Sequence, residues 1–324
     1  MREHELQRNP LSKGQVLMVA TSCATMNDQG GTATGAWLSE LAVPYIMFVS
    51  NGYDVTIASI KGGEVPLDPN SMSEKDSGPA VAEVQKFMQC ETAQQSMKHS
   101  VAIDKVDTIG AYCALFLPGG HGASVDMPSC AALQRLLGQA SEAGILIAAL
   151  CHGNAALAGD VGKQLVRGKK VAVFSDEEER ALGKEAVVPF LLETALRDAG
   201  AVMDCGPAGG ERAVVDGKLI TGQNPASSFK CASLVLEALS SNAPAGAPAA
   251  AHPGSLTAAE AAAVLGVSPL TPGSSGPEAA AGGVVATSMG EDELGAAVKE
   301  PFQDGVGPNA QAGSGTSTDN FPLA

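Results

Sequence analysis

The chain predicts an α/β fold, a mainly parallel sheet covered by helices on both faces. Three observations carry this. Short aliphatic runs without alternation recur at residues 15–20 (QVLMVA), 111–117 (AYCALFL) and 144–150 (GILIAAL), the pattern of strands buried on both faces. Longer helix-compatible stretches separate them. The third run ends abruptly in Cys151-His152-Gly153, a strand-to-helix turn with a thiol at its tip.

Taken in order, residues 15–20 form the first expected strand, and 21–34 a loop rich in Gly, Thr, Asn and Asp. A helix follows over 35–41, where Trp37 and Leu41 share a face at i, i+4. Pro44 is expected to start or kink the next helix, which stops at Asn51-Gly52. Residues 54–59 (DVTIAS) are the second strand and 61–78 a long loop. One or two helices are expected over 81–100. The strand at 111–117 ends in Pro118-Gly119-Gly120-His121-Gly122, a loop suited to close backbone approach. A helix at 129–143 leads into the strand before Cys151, after which residues 154–158 are small and helix-compatible. A strand at 170–174 and helices at 176–182 and 189–199 follow. A hairpin on Asp216-Gly217 and a closing helix at 227–239 complete the set. Ligands of parallel sheets sit at the carboxyl ends of strands, so the loops after residues 20, 117 and 150 are expected to lie together.

This reading divides the chain into an N-terminal extension (1–13), an α/β domain (14–240) and a tail (241–324). The tail is rich in Ala, Gly, Pro and Ser and sets eight acids against Lys299. Such a composition buries too little apolar surface to fold alone and is expected to be largely disordered. Two short helices are plausible within it, one after the Thr257…Glu260 capping box and one over 291–299.

The formal net charge of −15 argues against a nucleic-acid binder, which needs a basic patch. Seven cysteines, an odd number without CxxC pairs, fit reduced thiols inside a cell. No run reaches the roughly 18 apolar residues of a membrane span. The cytoplasm is the expected compartment, with an organelle left open.

Candidate chemistry centres on Cys151. A thiol near a helix N-terminus is expected to be held as its nucleophilic anion. The amides of Gly120 and His152 are the expected oxyanion donors. His121 has metal-ligand chemistry, but no set of ligand residues stands beside it in the chain. Glu40, on the first helix, reads locally as a solvated acid. The run Glu177-Glu178-Glu179 reads as an acidic first turn, one of whose members could orient a histidine.

Six ordered segments resemble the ThiJ/PfpI superfamily, within it the heat-shock-type branch of glutathione-independent glyoxalases (glyoxalase III). They are GAWLSELAVPY (35–45), GYDVTIASIKGGEVPLDPNS (52–71), LPGGHGASVDM (117–127), AALCHGNAAL (148–157), VFSDEEE (173–179) and TGQNPASS (221–228). The resemblance implies a flavodoxin-like, class I glutamine amidotransferase-like sheet with a nucleophile elbow. It implies Cys151 as nucleophile, His152 as its neighbour, and Glu40 as an acid touching the sulfur. It makes Glu179, ahead of Glu178, the third triad member. Gly119, Gly120 and His121 are implied for the substrate and oxyanion site. The implied reaction converts methylglyoxal to lactate without metal, glutathione or other cofactor, on a small 2-oxoaldehyde substrate, in a homodimer. The alternatives are a redox-sensing holdase chaperone with an exposed low-pKa thiol, a protein deglycase, or a cysteine peptidase.

Overall fold

A computed structural model describes residues 12–26, 31–73 and 77–241. The helices expected after Thr257 and over 291–299 lie outside the described residues. All described residues fall within the first of the two units into which the chain divides, Met1–Val267.

The strands are β1 (Gln15–Ala20), β2 (Asp54–Ser59), β3 (Val101–Ala102), β4 (Ala114–Leu117), β5 (Leu146–Leu150), β6 (Lys170–Val171), β7 (Val202–Met203), β8 (Ala213–Asp216) and β9 (Leu219–Gly222). The helices are α1 (Leu38–Ser50), α2 (Val81–Gln89), α3 (Glu91–Lys98), α4 (Gly122–Asp126), α5 (Ala131–Glu142), α6 (Asp160–Val166), α7 (Asp176–Ala181), α8 (Leu192–Asp198) and α9 (Ser228–Ser241). Seven strands form one sheet in the order β3-β2-β1-β4-β5-β9-β8. Every pairing in it is parallel except β8 with β9, the hairpin that Asp216-Gly217 announces. The chain runs outward from β1 through β2 to β3 and then returns to the other side of β1 as β4. The switch point therefore lies between β1 and β4, where open α/β sheets form their ligand crevice.

The core is aliphatic. Residues Val16 to Ala20 and Ala114 to Leu117 are all fully buried. Within the core Phe48 meets Phe116 edge-on at 5.6 Å and Tyr45 meets Phe87 at 5.2 Å.

Several expectations change in detail. Residues 38–50 are one helix, with Pro44 inside it. Proline removes the N–H that would bond the carbonyl of Glu40 and its ring crowds that carbonyl, and apolar packing of Leu38, Leu41, Val43, Tyr45 and Phe48 outweighs that cost. The strand expected at 170–174 shortens to β6, which pairs with β7 outside the main sheet. Residues Cys151–Ala158 form a 3-10 helix, and α6 follows it, a helix the sequence reading did not separate.

Candidate active site

The site is built where β5 ends. Cys151 has φ 52°, the one positive value outside glycine among the described residues. A left-handed backbone costs an L-residue about 1–2 kcal/mol, so the surrounding contacts must hold it there. Asn154 does part of this: its Nδ2 donates to the carbonyls of Cys151 (3.0 Å) and Gly222 (3.1 Å). Glycine supplies the remaining room. A Cβ at Gly153 would collide with the Leu117 carbonyl, one at Gly120 with the Gly35 carbonyl, and one at Gly119 with Glu40 and the Leu150 carbonyl. The loops after β4 and β5 are thus pressed together. The loop after β1 joins them, since Gly122 packs on Thr21 and Cys23.

Glu40 comes in from the first turn of α1, whose start is docked by the Trp37 N–H on the Gly119 carbonyl (3.0 Å). It is fully buried, not solvated. Its Oε2 accepts the Gly119 N–H at 2.8 Å. Oε1 has no conventional hydrogen-bond partner, and the Cys151 thiol meets this carboxyl in a weaker S–H contact. Burial raises the Glu40 pKa to about 8; the Cys151 and Gly119 contacts oppose the rise without cancelling it. Glu40 therefore holds a proton at neutral pH.

Burial also pushes the Cys151 thiol well above its usual pKa, and the Glu40 charge adds to the rise, against a lowering contact from the His152 amide. The expected anionic thiol is not what the fold produces at rest. The desolvation of a residue 4% exposed outweighs the dipole of a short 3-10 turn.

The sulfur also meets a histidine, with Sγ 3.5 Å from His152 Nδ1. His152 Nε2 lies 2.8 Å from Glu179 Oε2, and the other carboxylate oxygen, Oε1, lies 2.9 Å from His121 Nε2. One buried carboxylate thus joins two histidines. Burial alone would raise the Glu179 pKa, but the bonds from His121 and His152 prevail and hold it at about 2. The two imidazoles lie 4.1 Å apart, tilted by 35°, and Phe174 packs against both.

Glu178 faces away into a different network. Its carboxylate accepts from the Ser175 amide and hydroxyl, Gln223, the Gly209 amide and Asn224, tying the loop before α7 to the segments after β7 and β9. Ser175 and Glu178 form a reciprocal capping box at the start of α7. Helical spacing sends adjacent acids in different directions, so only one of the pair can face the histidines.

Cys151, His152, Glu40 and Glu179 are therefore brought together, with the Gly119-Gly120 loop against them. Gly119 uses its amide to hold Glu40. The His121 ring meets Glu179 through Nε2. The sequence argument against a metal at His121 also changes: His121, His152 and Glu179 place ligand-type atoms within 4.8 Å of one another. Both Nε2 atoms already meet the carboxylate at hydrogen-bond distance, which is how the cluster is satisfied as it stands. Sequence reasoning missed Asn154 and Phe174. Asn154 had a signal, since it directly follows Cys-His-Gly; Phe174 had none beyond its place before Ser175.

The chain matches the DJ-1/PfpI family over residues 32–238. A glutathione-independent glyoxalase of Schizosaccharomyces pombe is 29% identical over 240 residues, 70% of this chain and 96% of that protein. Among solved structures, the 24 kDa Rapid Encystment Protein of Francisella tularensis is 35% identical, with a TM-score of 0.65 over 70% of this chain and 99% of that one. Glyoxalase III of Candida albicans is 26% identical, with a TM-score of 0.61 over 70% of this chain and 97% of that one. No described helix is long and apolar enough to cross a membrane.

Proposed function

The chain belongs to the DJ-1/PfpI family, and on that premise we propose that it is a glutathione-independent glyoxalase converting a small 2-oxoaldehyde, methylglyoxal, to lactate. The observation that carries this reading is the contact of Cys151 with two proton carriers, the Glu40 carboxyl and the His152 ring.

In the proposed reaction His152 Nδ1 takes the thiol proton as sulfur attacks the aldehyde carbon, giving a hemithioacetal. The amides of Gly120 and His152 stabilise the oxyanion formed there. A proton leaves C1 and another is returned to C2 through an enediol, converting the hemithioacetal to a thioester of lactate. Glu40 and His152 carry these protons. A carboxyl with a pKa of about 8 suits the task, because it gives and takes protons near neutral pH. Water then cleaves the thioester, releasing lactate and the thiol. Glu179 orients His152 and stabilises its cation.

The near-complete burial of Cys151 and Glu40 favours a small aldehyde over a glycated protein chain, which would need an open cleft. It also disfavours the oxidation-sensor reading, which requires an exposed thiolate. The test is lactate formation from methylglyoxal by the purified full chain, without glutathione or added metal. Cys151→Ser is expected to abolish it; a variant that keeps most of the turnover would refute Cys151 as nucleophile.

A further inference from the structure

We propose that Lys184 and His121 form a positioning arm, in which the lysine donates to His121 Nδ1 and keeps that nitrogen unprotonated, so that the neutral ring stays directed at one Glu179 oxygen and leaves the other to His152. The proposal deepens the glyoxalase reading and rests on it for the role of the Cys151–His152 pair.

Lys184 stands in the turn after α7. Its N–H donates to the Glu179 carbonyl at 3.1 Å, and its own carbonyl accepts from Val187 and Val188. The lysine backbone is therefore tied to the residue whose side chain it serves. The side chain reaches back to place Nζ 3.4 Å from His121 Nδ1. An ammonium group only donates, so Nδ1 must be the bare, accepting nitrogen. The His121 hydrogen then sits on Nε2 and points at Glu179 Oε1, 2.9 Å away. Glu179 only accepts, so His152 likewise offers Nε2–H to Oε2 at 2.8 Å. In the neutral His152 ring this leaves Nδ1 bare and facing the sulfur at 3.5 Å. The order of donors thus runs from Lys184 to His121 to Glu179, and meets the donor from His152 there.

The arrangement also assigns the charge. Two imidazolium rings 4.1 Å apart would repel, and a single carboxylate lies between them. The titratable groups acting on His121 are His152, Glu179 and Lys184. Burial first, then the His152 and Lys184 charges, favour the neutral ring, whose pKa falls to about 4 in spite of Glu179. His121 stays neutral while His152 accepts the thiol proton, so the positive charge created on sulfur attack goes to the ring that touches sulfur. Lys184 touches neither the thiol nor Glu40 in this scheme; it is a positioning residue.

The test uses the full chain with Lys184→Met and Lys184→Arg. Long-range proton–nitrogen NMR reads the ring tautomers, with the His121 signals assigned by their loss in His121→Gln. The wild type is expected to show His121 as the Nε2–H tautomer, which Glu179 retains in both proteins, and Lys184→Met to let Nδ1 take a second proton at a higher pH than in the wild type. With methylglyoxal, Lys184→Met is expected to lower kcat about 3–10-fold at unchanged KM and to move the acid limb of the pH profile upward, while Lys184→Arg restores most of the rate. A wild-type His121 protonated on Nδ1, or ring signals and pH profile unaltered in Lys184→Met, would overturn the proposal. If the wild type makes no lactate, the glyoxalase reading fails, and the tautomer measurement still decides the lysine arm.

Discussion

At the scale of single residues, Glu40 sets the character of the site. Its sequence neighbours give it no distinction, yet it is the fully buried acid beside the nucleophile. Its pKa rises on folding from the usual 4.5 to about 8. The folded state therefore keeps a proton that the unfolded chain loses, and stability falls as pH rises through that window. Glu40→Gln has no such proton to keep. Relative to wild type it is expected to gain about 2–4 kcal/mol of stability between pH 5 and pH 8 while losing turnover. Chemical denaturation at the two pH values measures this, and parallel stability curves for the two proteins would contradict it. His121 acts in the opposite direction. Its pKa falls from 6.5 to about 4, so its neutral form contributes stability above pH 6.5 that is lost as the pH drops toward 4. These residues were legible only through a resemblance; burial, which governs both, comes from neighbours distant in the chain.

Among the elements, α7 shows how one turn divides two tasks between adjacent acids. Glu178 gathers amide, hydroxyl and side-chain donors from three segments, and Glu179 meets two imidazoles. Glu178→Gln turns an acceptor into a donor amid donors and is expected to cost about 2–4 kcal/mol of stability. Glu179→Gln is expected to cost less stability, because one imidazole can switch tautomer to accept from the new amide, but to lower kcat about 100-fold. Urea unfolding beside lactate assays separates them; the reverse ranking would sink the division of roles. The acidic run announced a helix start, and the capping box confirms how it is made. Which carboxylate faces inward depended on where that first turn was anchored. The single helix through Pro44 shows the same limit, since the proline signal is local and the burial that overrides it is not.

At the scale of the whole molecule, the sheet, core and candidate site found among the described residues lie within residues 15–241, and the site residues between Glu40 and Lys184. Deleting residues 242–324 is therefore expected to leave the melting temperature within about 2 °C and the turnover unchanged. An insoluble or inactive product would show that the tail contributes to the domain. The sequence by itself determined the alternation of buried strands and helices, the glycine loop, the elbow at Cys151 and the β8–β9 hairpin. Those are local properties: aliphatic runs, turn residues and periodicity act over a few positions. The tertiary structure alone decided that Glu40 is buried against the sulfur, that His121 shares Glu179 with His152, and that Lys184 reaches His121. It also decided that the resting thiol is raised in pKa, not lowered. The reason is that desolvation and side-chain hydrogen bonding depend on which atoms meet across the fold, and those partners stand up to about a hundred residues apart.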